Sequence, residues 1–275
     1  MTQILALSAA ALYGVADFAG GLAARSTSAW RVTAWSQLIG TPLLVVAVFV
    51  VGASEVTASD FVLGAVAGAF GLIGLVLLYT ALANGSMTIV APTVGVLAAG
   101  IPVGWDIATG GVIEPAHWIG IGMAIGAVTL LGVRPSGFSI NRRVLVQAIG
   151  AAVSFAAFII AMSYTNETAG LWPFVPARLL SIPIAFTVAA RTTTAAPPSW
   201  PVLRLVTFVG LTDIAAGIAI VLAVQRGPLG ISAVLSSLYP AFTVAAAIIV
   251  LKERPSSIQG AGIALAVLAV AVLAG

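Results

Sequence analysis

Several residue types that build common active sites are missing or scarce in this 275-residue chain. It has no cysteine and one histidine, which excludes disulfides, thiolate metal sites, cysteine nucleophiles and histidine-based metal clusters. A phosphate-binding loop of the form G-x-x-x-x-G-K-[ST] is also absent, so we expect no nucleotide hydrolysis. Charged residues make up only 7% of the chain, against roughly a quarter in soluble domains. We therefore expect no metal, no cofactor and no enzymatic activity.

Apolar residues dominate instead. They form 61% of the chain, and the mean hydropathy is +1.17. This composition predicts an all-α integral membrane protein whose main surroundings are the lipid bilayer. Dividing the apolar stretches at their charged, glycine and proline residues predicts ten transmembrane helices. The predicted spans are 3–24, 30–51, 59–83, 86–107, 115–133, 143–164, 169–190, 202–224, 229–251 and 257–274.

The second half of the chain repeats the plan of the first. The segments at 79–85 and 115–122 recur in the second half as similar segments at 223–227 and 255–262. Two repeats are predicted, residues 1–135 and 141–275, each with five helices. Because five is odd, the repeats would have opposite orientations around a central cavity, as in many secondary transporters.

Charged residues between the predicted spans sort by sign. Most basic residues fall on one side, whereas Glu55, Asp60, Glu114 and Glu167 fall on the other together with Arg226. Scattered single basic residues favour a role in topology over nucleic-acid binding. The positive-inside rule places the basic side in the cytoplasm and both termini outside, in a multi-pass protein of the cell (plasma or inner) membrane.

Four segments resemble one transporter family. They are Tyr13-Gly-Val-Ala-Asp17-Phe18, the region from Pro173 to Pro183 with Arg178, Pro240-Ala-Phe242, and Glu253-Arg254. The last two are similar to the "P-x-F" and "G-E-R" pattern of EamA-type transporters in the drug/metabolite transporter superfamily. The chain departs from that pattern at Lys252, where the family usually has glycine, and lacks the Glu-Arg turn in its first half.

The resemblance implies ten helices in two inverted repeats. It also implies a cavity lined mainly by spans 1, 3, 4, 6, 8 and 9, and the export or uptake of amino acids, metabolites or drugs. Members of the family are usually drawn with both termini in the cytoplasm, contrary to the charge count.

Three ionisable residues lie at or near the middle of predicted spans, where charge is costly unless it meets a partner or a cavity. They are Asp17, Arg178 and Asp213. We hypothesise that Arg178 pairs with Asp213 on the adjacent span, which leaves Asp17 to meet a proton or a cationic group of a substrate. The alternative is a fixed salt-bridge network of all three without a role in coupling.

Polar and aromatic residues add candidates for substrate binding. Ser232, Ser236, Tyr239 and Thr243 share one face of span 9, which predicts either a substrate-facing wall or helix-to-helix hydrogen bonding. Tyr13 lies one turn from Asp17, where its ring suits cationic or amphipathic ligands. Tyr79 is either a further binding residue or an anchor at the membrane interface.

Two prolines occupy matching positions in the repeats. Pro42 in span 2 corresponds to Pro183 in span 7. Proline removes a backbone hydrogen bond and kinks a helix, so this pair predicts hinges for a rocking movement.

Together these patterns predict a secondary active transporter of a small organic solute, in the direction of export, by alternating access. The solute would be an amino acid, a metabolite or a drug-like amphiphile, with proton coupling as one way to drive it. The alternative is a passive channel or facilitator, or a membrane subunit that transports nothing. Both a monomer and a homodimer are compatible with the sequence.

Overall fold

The computed structural model describes residues 1–85, 87–111, 115–132, 141–251 and 256–274. The described residues form helices joined by short loops. The Lys252-Glu253-Arg254 segment, Glu114 and most of the join between the repeats lie outside these ranges. The helices are α1 (Thr2–Ser26), α2 (Ala29–Val51), α3 (Ala58–Asn84), α4 (Met87–Ala108), α5 (Pro115–Gly132), α6 (Arg142–Ser163), α7 (Phe174–Thr192), α8 (Trp200–Arg226), α9 (Leu229–Ser236), α10 (Tyr239–Leu251) and α11 (Ser257–Ala274).

Six helices within the described ranges are long and apolar enough to cross a membrane. They are α1, α2, α3, α6, α7 and α8. Shorter apolar helices occur at Thr93–Ala108, Trp118–Ala127 and Leu229–Thr243. The all-helical prediction is confirmed for the described part of the chain, whereas the count of ten spans stays a prediction.

The segment predicted as one span at 229–251 forms a broken helix. Helix α9 ends at Ser236 and α10 begins at Tyr239, with Ser237 and Leu238 in a turn between them. Pro240 has no N–H, so the carbonyl of Ser236 lacks the donor that a continuous helix would supply. The chain therefore interrupts the helix and restarts it with the proline in the first turn.

The seventh predicted span begins later than expected. Residues 167–169 form a single 3-10 turn, and α7 starts only at Phe174. Gly170 has a positive φ of 54°, and a Cβ there would overlap the carbonyl oxygen of Gly52. The 3-10 turn therefore ends where this loop contacts the loop at Gly52, and helical structure begins again only after Pro173.

The packing of the helices repeats between the halves. Helices α3 and α8 have the same length, and so do α5 and α11. The number of residues that separates the start of α3 from the start of α8 also separates the start of α5 from the start of α11. Helix α1 packs along α8 as α6 packs along α3, and α2 packs on α8 as α7 packs on α3. Each half therefore supplies equivalent contacts to the other, and α5 packs against its own counterpart α11.

Two glycines form equivalent close contacts at this interface. A Cβ on Gly68 of α3 would overlap the backbone of Ala177 on α7, and one on Gly210 of α8 would overlap the backbone of Ser36 on α2. Gly210 occupies the same position in α8 that Gly68 occupies in α3. Small residues at both positions let the helix backbones approach closely, which is the main way helices pack in lipid.

Hydrogen bonds tie together the loops at one end of the helices. The Asp60 carboxylate is fully buried and accepts hydrogen bonds from Thr57 and from the backbone and side-chain nitrogens of Asn166, the shortest of these to Asn166 being 2.8 Å. Arg226 pairs with Glu167 at 3.3 Å nearby. We call Asp60, Thr57 and Asn166 the carboxylate latch.

A second set of hydrogen bonds joins other loops. Arg31 donates from Nε to the carbonyl of Ala196 at 2.8 Å and from Nη2 to that of Pro197 at 2.6 Å. We call these contacts the arginine latch. Arg31 thus contacts the α7–α8 loop, whereas the acidic residues gather at the carboxylate latch, as the charge sorting predicts for these described loops.

Candidate functional site

One cavity brings together most of the predicted site residues. It encloses about 850 Å³ of space free of protein atoms, a volume that includes the open solvent at its mouth. Residues from both halves line it. Six of the seven predicted binding or coupling residues are among them, namely Tyr13, Asp17, Arg178, Asp213, Ser236 and Tyr239.

Arg178 and Asp213 form a buried ion pair. Nη2 of Arg178 lies 3.1 Å from Oδ2 of Asp213, and each residue is only 7% exposed. The pairing predicted from the sequence is therefore present. Since α7 packs mainly on α2 and α3, and α8 mainly on α1 and α2, the ion pair connects two helices that both pack on α2.

The guanidinium of Arg178 is further enclosed by an aromatic ring. Its central carbon lies 5.0 Å from the centroid of the Phe174 ring, a cation–π distance. The Nε atom of Arg178 is buried without a hydrogen-bond partner in the described part of the chain. The cation is thus held by one carboxylate and one ring, and both contacts are internal to the protein.

Asp17 has a different environment. It is 5% exposed and lines the same cavity, yet no described residue forms a hydrogen bond or ion pair with its carboxylate. A buried carboxylate without a protein partner is costly unless it meets water, a proton or a cation. Among the charged groups that line the cavity, the carboxylate of Asp17 is therefore the one available to water, a proton or a cation.

Tyr79 is not among the residues that line the cavity. Its ring is fully buried and sits where a side chain on Gly20 of α1 would otherwise extend. Its hydroxyl has no hydrogen-bond partner among the described residues. A fully buried ring does not fit an interface anchor, so the structure contradicts that interpretation, and it places Tyr79 in the packing between α1 and α3.

The polar stripe of the broken span divides by role. Ser236 and Tyr239 line the cavity, and the hydroxyl of Tyr239 also donates to the carbonyl of Ala91 at 3.1 Å. Thr243 instead donates to the carbonyl of Gly14 at 3.0 Å, and Ser232 contacts the carbonyl of Ala223 at 3.4 Å. The predicted helix-to-helix hydrogen bonding is therefore present at Thr243 and Ser232, whereas a substrate-facing role for Ser236 and Tyr239 stays a prediction.

Sequence reasoning missed several lining residues. Gln37 and Ser181 reach the cavity from α2 and α7, where the hydroxyl of Ser181 donates to Oε1 of Gln37 at 2.6 Å. Spans 2 and 7 therefore line the cavity beside those implied by the family resemblance. The repeat offset contained the signal, because Gln37 and Arg178 are separated by the same interval as Pro42 and Pro183. The aromatic residues that were missed are Phe155, Phe158 and Phe174.

The two matched prolines lie within long helices. Pro42 is inside α2 and Pro183 is inside α7, and both are exposed at the outer surface of the protein. Helices α2 and α7 pack against each other. Their position is compatible with paired bends, and the hinge role stays a prediction.

These features define a multi-pass helical membrane protein with an internal cavity. The model of the EamA-like transporter family matches residues 142–275, which confirms the predicted resemblance over the second half of the chain. That family consists of membrane transporters of the drug/metabolite transporter type.

Solved structures give the fold independently. One crystal structure of a protein matches with a TM-score of 0.76 at 20% sequence identity, covering 97% of this chain and 94% of the other. At this identity the similarity shows the fold alone. No curated protein matches the chain.

Proposed function

We propose that this protein is a secondary active transporter that exports a small organic solute across the cell membrane by alternating access. Its ten helices would form two five-helix repeats of opposite orientation. The observation that carries this proposal is Asp17, a carboxylate without a protein partner among the described residues, in a cavity that both halves line.

The repeated packing supports a transport cycle. Helices α1 and α8 contact each other as α6 and α3 do, so exchanging the conformations of the two halves would move the access path from one end of the protein to the other. The cavity remains between the halves throughout such an exchange. A solute bound there would thus meet each side of the membrane in turn.

The charged groups divide into a fixed pair and a free carboxylate. Arg178 and Asp213 neutralise each other, whereas Asp17 is available to a proton or to a cationic group of the solute. Because one carboxylate cannot hold both at once, proton and solute would compete. Competition at a single site is the simplest way to couple export of a solute to entry of a proton.

Counterflow in proteoliposomes tests this proposal. A thermal-shift screen with amino acids and organic cations selects a radiolabelled probe, and vesicles are then loaded with unlabelled probe. A carrier shows saturable uptake that the internal probe accelerates. Linear flux without saturation would instead identify a passive channel, and the absence of flux for every probe would contradict transport.

Two variants connect the flux to Asp17. Asp17→Asn removes the charge without changing the shape of the side chain, and we expect it to abolish proton-driven uptake. Glu55→Gln, in an exposed loop, is the matched control and is expected to transport normally. Unchanged proton-driven uptake in Asp17→Asn would exclude Asp17 as the coupling group.

A further inference from the structure

We infer that the cavity selects an organic monocation with an aromatic or apolar body, and that Asp17 is its counter-ion. This inference rests on the proposed function, because it names the substrate class of the same site. Four observations support it: the charge of the lining, its aromatic walls, the helix break, and the difference between the repeats at one position.

The lining has an excess of one negative charge. Among the described residues that line the cavity, the charged ones are Asp17, Arg178 and Asp213. The ion pair cancels two of these charges and leaves the carboxylate of Asp17. The guanidinium is engaged by Asp213 and by the ring of Phe174, so an anion would have to displace an existing contact. A cation needs no such displacement.

Aromatic rings surround much of the remaining space. Tyr13 and Tyr239 come from α1 and α10, while Phe155 and Phe158 come from α6. The electron-rich faces of such rings attract cations whose charge is spread over alkyl groups, and the rings also bury an apolar body. Rings next to one carboxylate therefore favour a substituted ammonium over a small hydrated ion.

The helix break adds hydrogen-bond acceptors to the same cavity. Ser236 and Ser237 line the cavity at the C-terminal end of α9, where a helix has a partial negative charge. The backbone N–H of Ser237 bonds to Ala233, and that of Leu238 bonds to Leu235. With no N–H on Pro240, the turn offers more acceptors than donors. This polarity again suits a cation.

The equivalent position in the second half limits the number of cations to one. Ile159 is the equivalent of Asp17 in the second half, because the two residues are as far apart in the sequence as α3 and α8 are. Ile159 lines the same cavity. An apolar side chain there supplies no second counter-ion. We therefore expect one monocation for each protein molecule.

Calorimetric titration of the purified full-length protein with three probes that share a benzyl group tests this inference. Benzyltrimethylammonium is the cation, benzyl alcohol the neutral probe and phenylmethanesulfonate the anion. We expect the cation to bind at least about tenfold more tightly than the neutral probe, with a stoichiometry of one, and no binding of the anion. Equal affinities for cation and neutral probe, or tighter binding of the anion, would overturn the inference.

Variants assign this selectivity to a residue. Asp17→Asn should lose about tenfold or more in affinity for the cation while its affinity for benzyl alcohol is unchanged. Asp17→Glu should keep the preference for the cation, and Glu55→Gln should bind as the unmodified protein does. If Asp17→Asn binds the cation as well as the unmodified protein, Asp17 is not the counter-ion. If that variant does not fold, the three-probe comparison on the unmodified protein still decides.

The outcome separates this inference from the proposed function. Selective binding of the cation without counterflow would support the inference and contradict the transporter. Saturable counterflow of a neutral or anionic solute without a preference for cations would do the reverse.

Discussion

The two halves of the molecule make equivalent helix contacts where they meet but have different chemistry in the cavity. Gly68 and Gly210 occupy equivalent positions and make equivalent close contacts with the opposite half. Three other pairs differ in charge. These pairs are Asp17 with Ile159, Gln37 with Arg178, and Gly71 with Asp213.

The difference shows which part of a repeat is free to vary. Close packing of helix backbones leaves room only for small residues, so both copies keep glycine where α3 meets α7 and where α8 meets α2. Side chains that point into the cavity meet no such restriction. A symmetric scaffold can therefore hold an asymmetric charge distribution, here one free carboxylate from the first half and an ion pair from the second.

The largest loss of stability is expected when Arg178 of the ion pair is replaced by the residue at the equivalent position of the first half. Arg178→Gln copies Gln37 and leaves Asp213 buried without a counter-ion. Breaking a buried pair in this way costs about 3–5 kcal/mol, so we expect a marked fall in the temperature of thermal unfolding in detergent.

The double variant Arg178→Gln with Asp213→Asn is the matched control. It removes both charges, and we expect it to recover most of the lost unfolding temperature. If the double variant is as unstable as the single one, the pair does not act as a charge-compensating unit.

Adding a methyl group at the equivalent glycines tests whether the scaffold is symmetric. Gly68→Ala and Gly210→Ala should each destabilise the protein by about 1–3 kcal/mol, because the new Cβ would overlap the backbone of the facing helix. Gly104→Ala is the control, since no atom of the described residues lies within 4 Å of a Cβ at that position. Thermal unfolding that shows a loss at only one of the two sites would contradict the equivalence.

The two latches should differ in strength. Asp60→Ala removes a buried helix cap and leaves donors of Thr57 and Asn166 unpaired, so a loss of about 1–2 kcal/mol is expected. Arg31→Ala removes exposed hydrogen bonds and should cost less. Hydrogen exchange at the two loops measures both, and greater opening in Arg31→Ala than in Asp60→Ala would reverse the predicted order.

The smallest effect is expected at Gln37, the neutral counterpart of Arg178. Ser181→Ala removes the donor to Gln37 and leaves a buried amide oxygen without it, at a cost of about 1 kcal/mol. Gln37→Leu with Ser181→Ala removes both partners and should be nearly neutral in thermal unfolding. A single variant that is no less stable than the double one would show that the hydrogen bond contributes little.

Much of the site was predictable because charge within a membrane helix has few explanations. Asp17, Arg178 and Asp213 stand out in apolar spans, and adjacency along the chain was enough to predict which two would pair. Gln37 and Phe155 gave no such signal, since an amide or a ring is common in membrane helices for other reasons. Only their equivalence in the repeat could have indicated them, since Gln37 corresponds to Arg178 and Phe155 corresponds to Tyr13.

The fold was predictable where hydropathy decides it and less so where backbone detail does. Helix existence follows from the apolar stretches, and the bounds of α3 and α8 lie within a few residues of the predicted spans. The break at Ser237 could not be derived from hydropathy, because Pro240 is compatible with a kink as well as with an interruption. The late start of α7 depends on contact between the loops around Gly52 and Gly170, which have no sequence pattern in common.

The interruption between α9 and α10 has a mechanical consequence. Its two ends are attached to different partners, since the N–H of Gly230 in α9 donates to Asp106 of α4 at 2.9 Å and Thr243 in α10 donates to Gly14 of α1. An intact helix would transmit any pull along its axis from one attachment to the other. Because the turn has fewer helical hydrogen bonds to break, we expect it to act as a hinge at which the cavity wall bends while both ends stay attached.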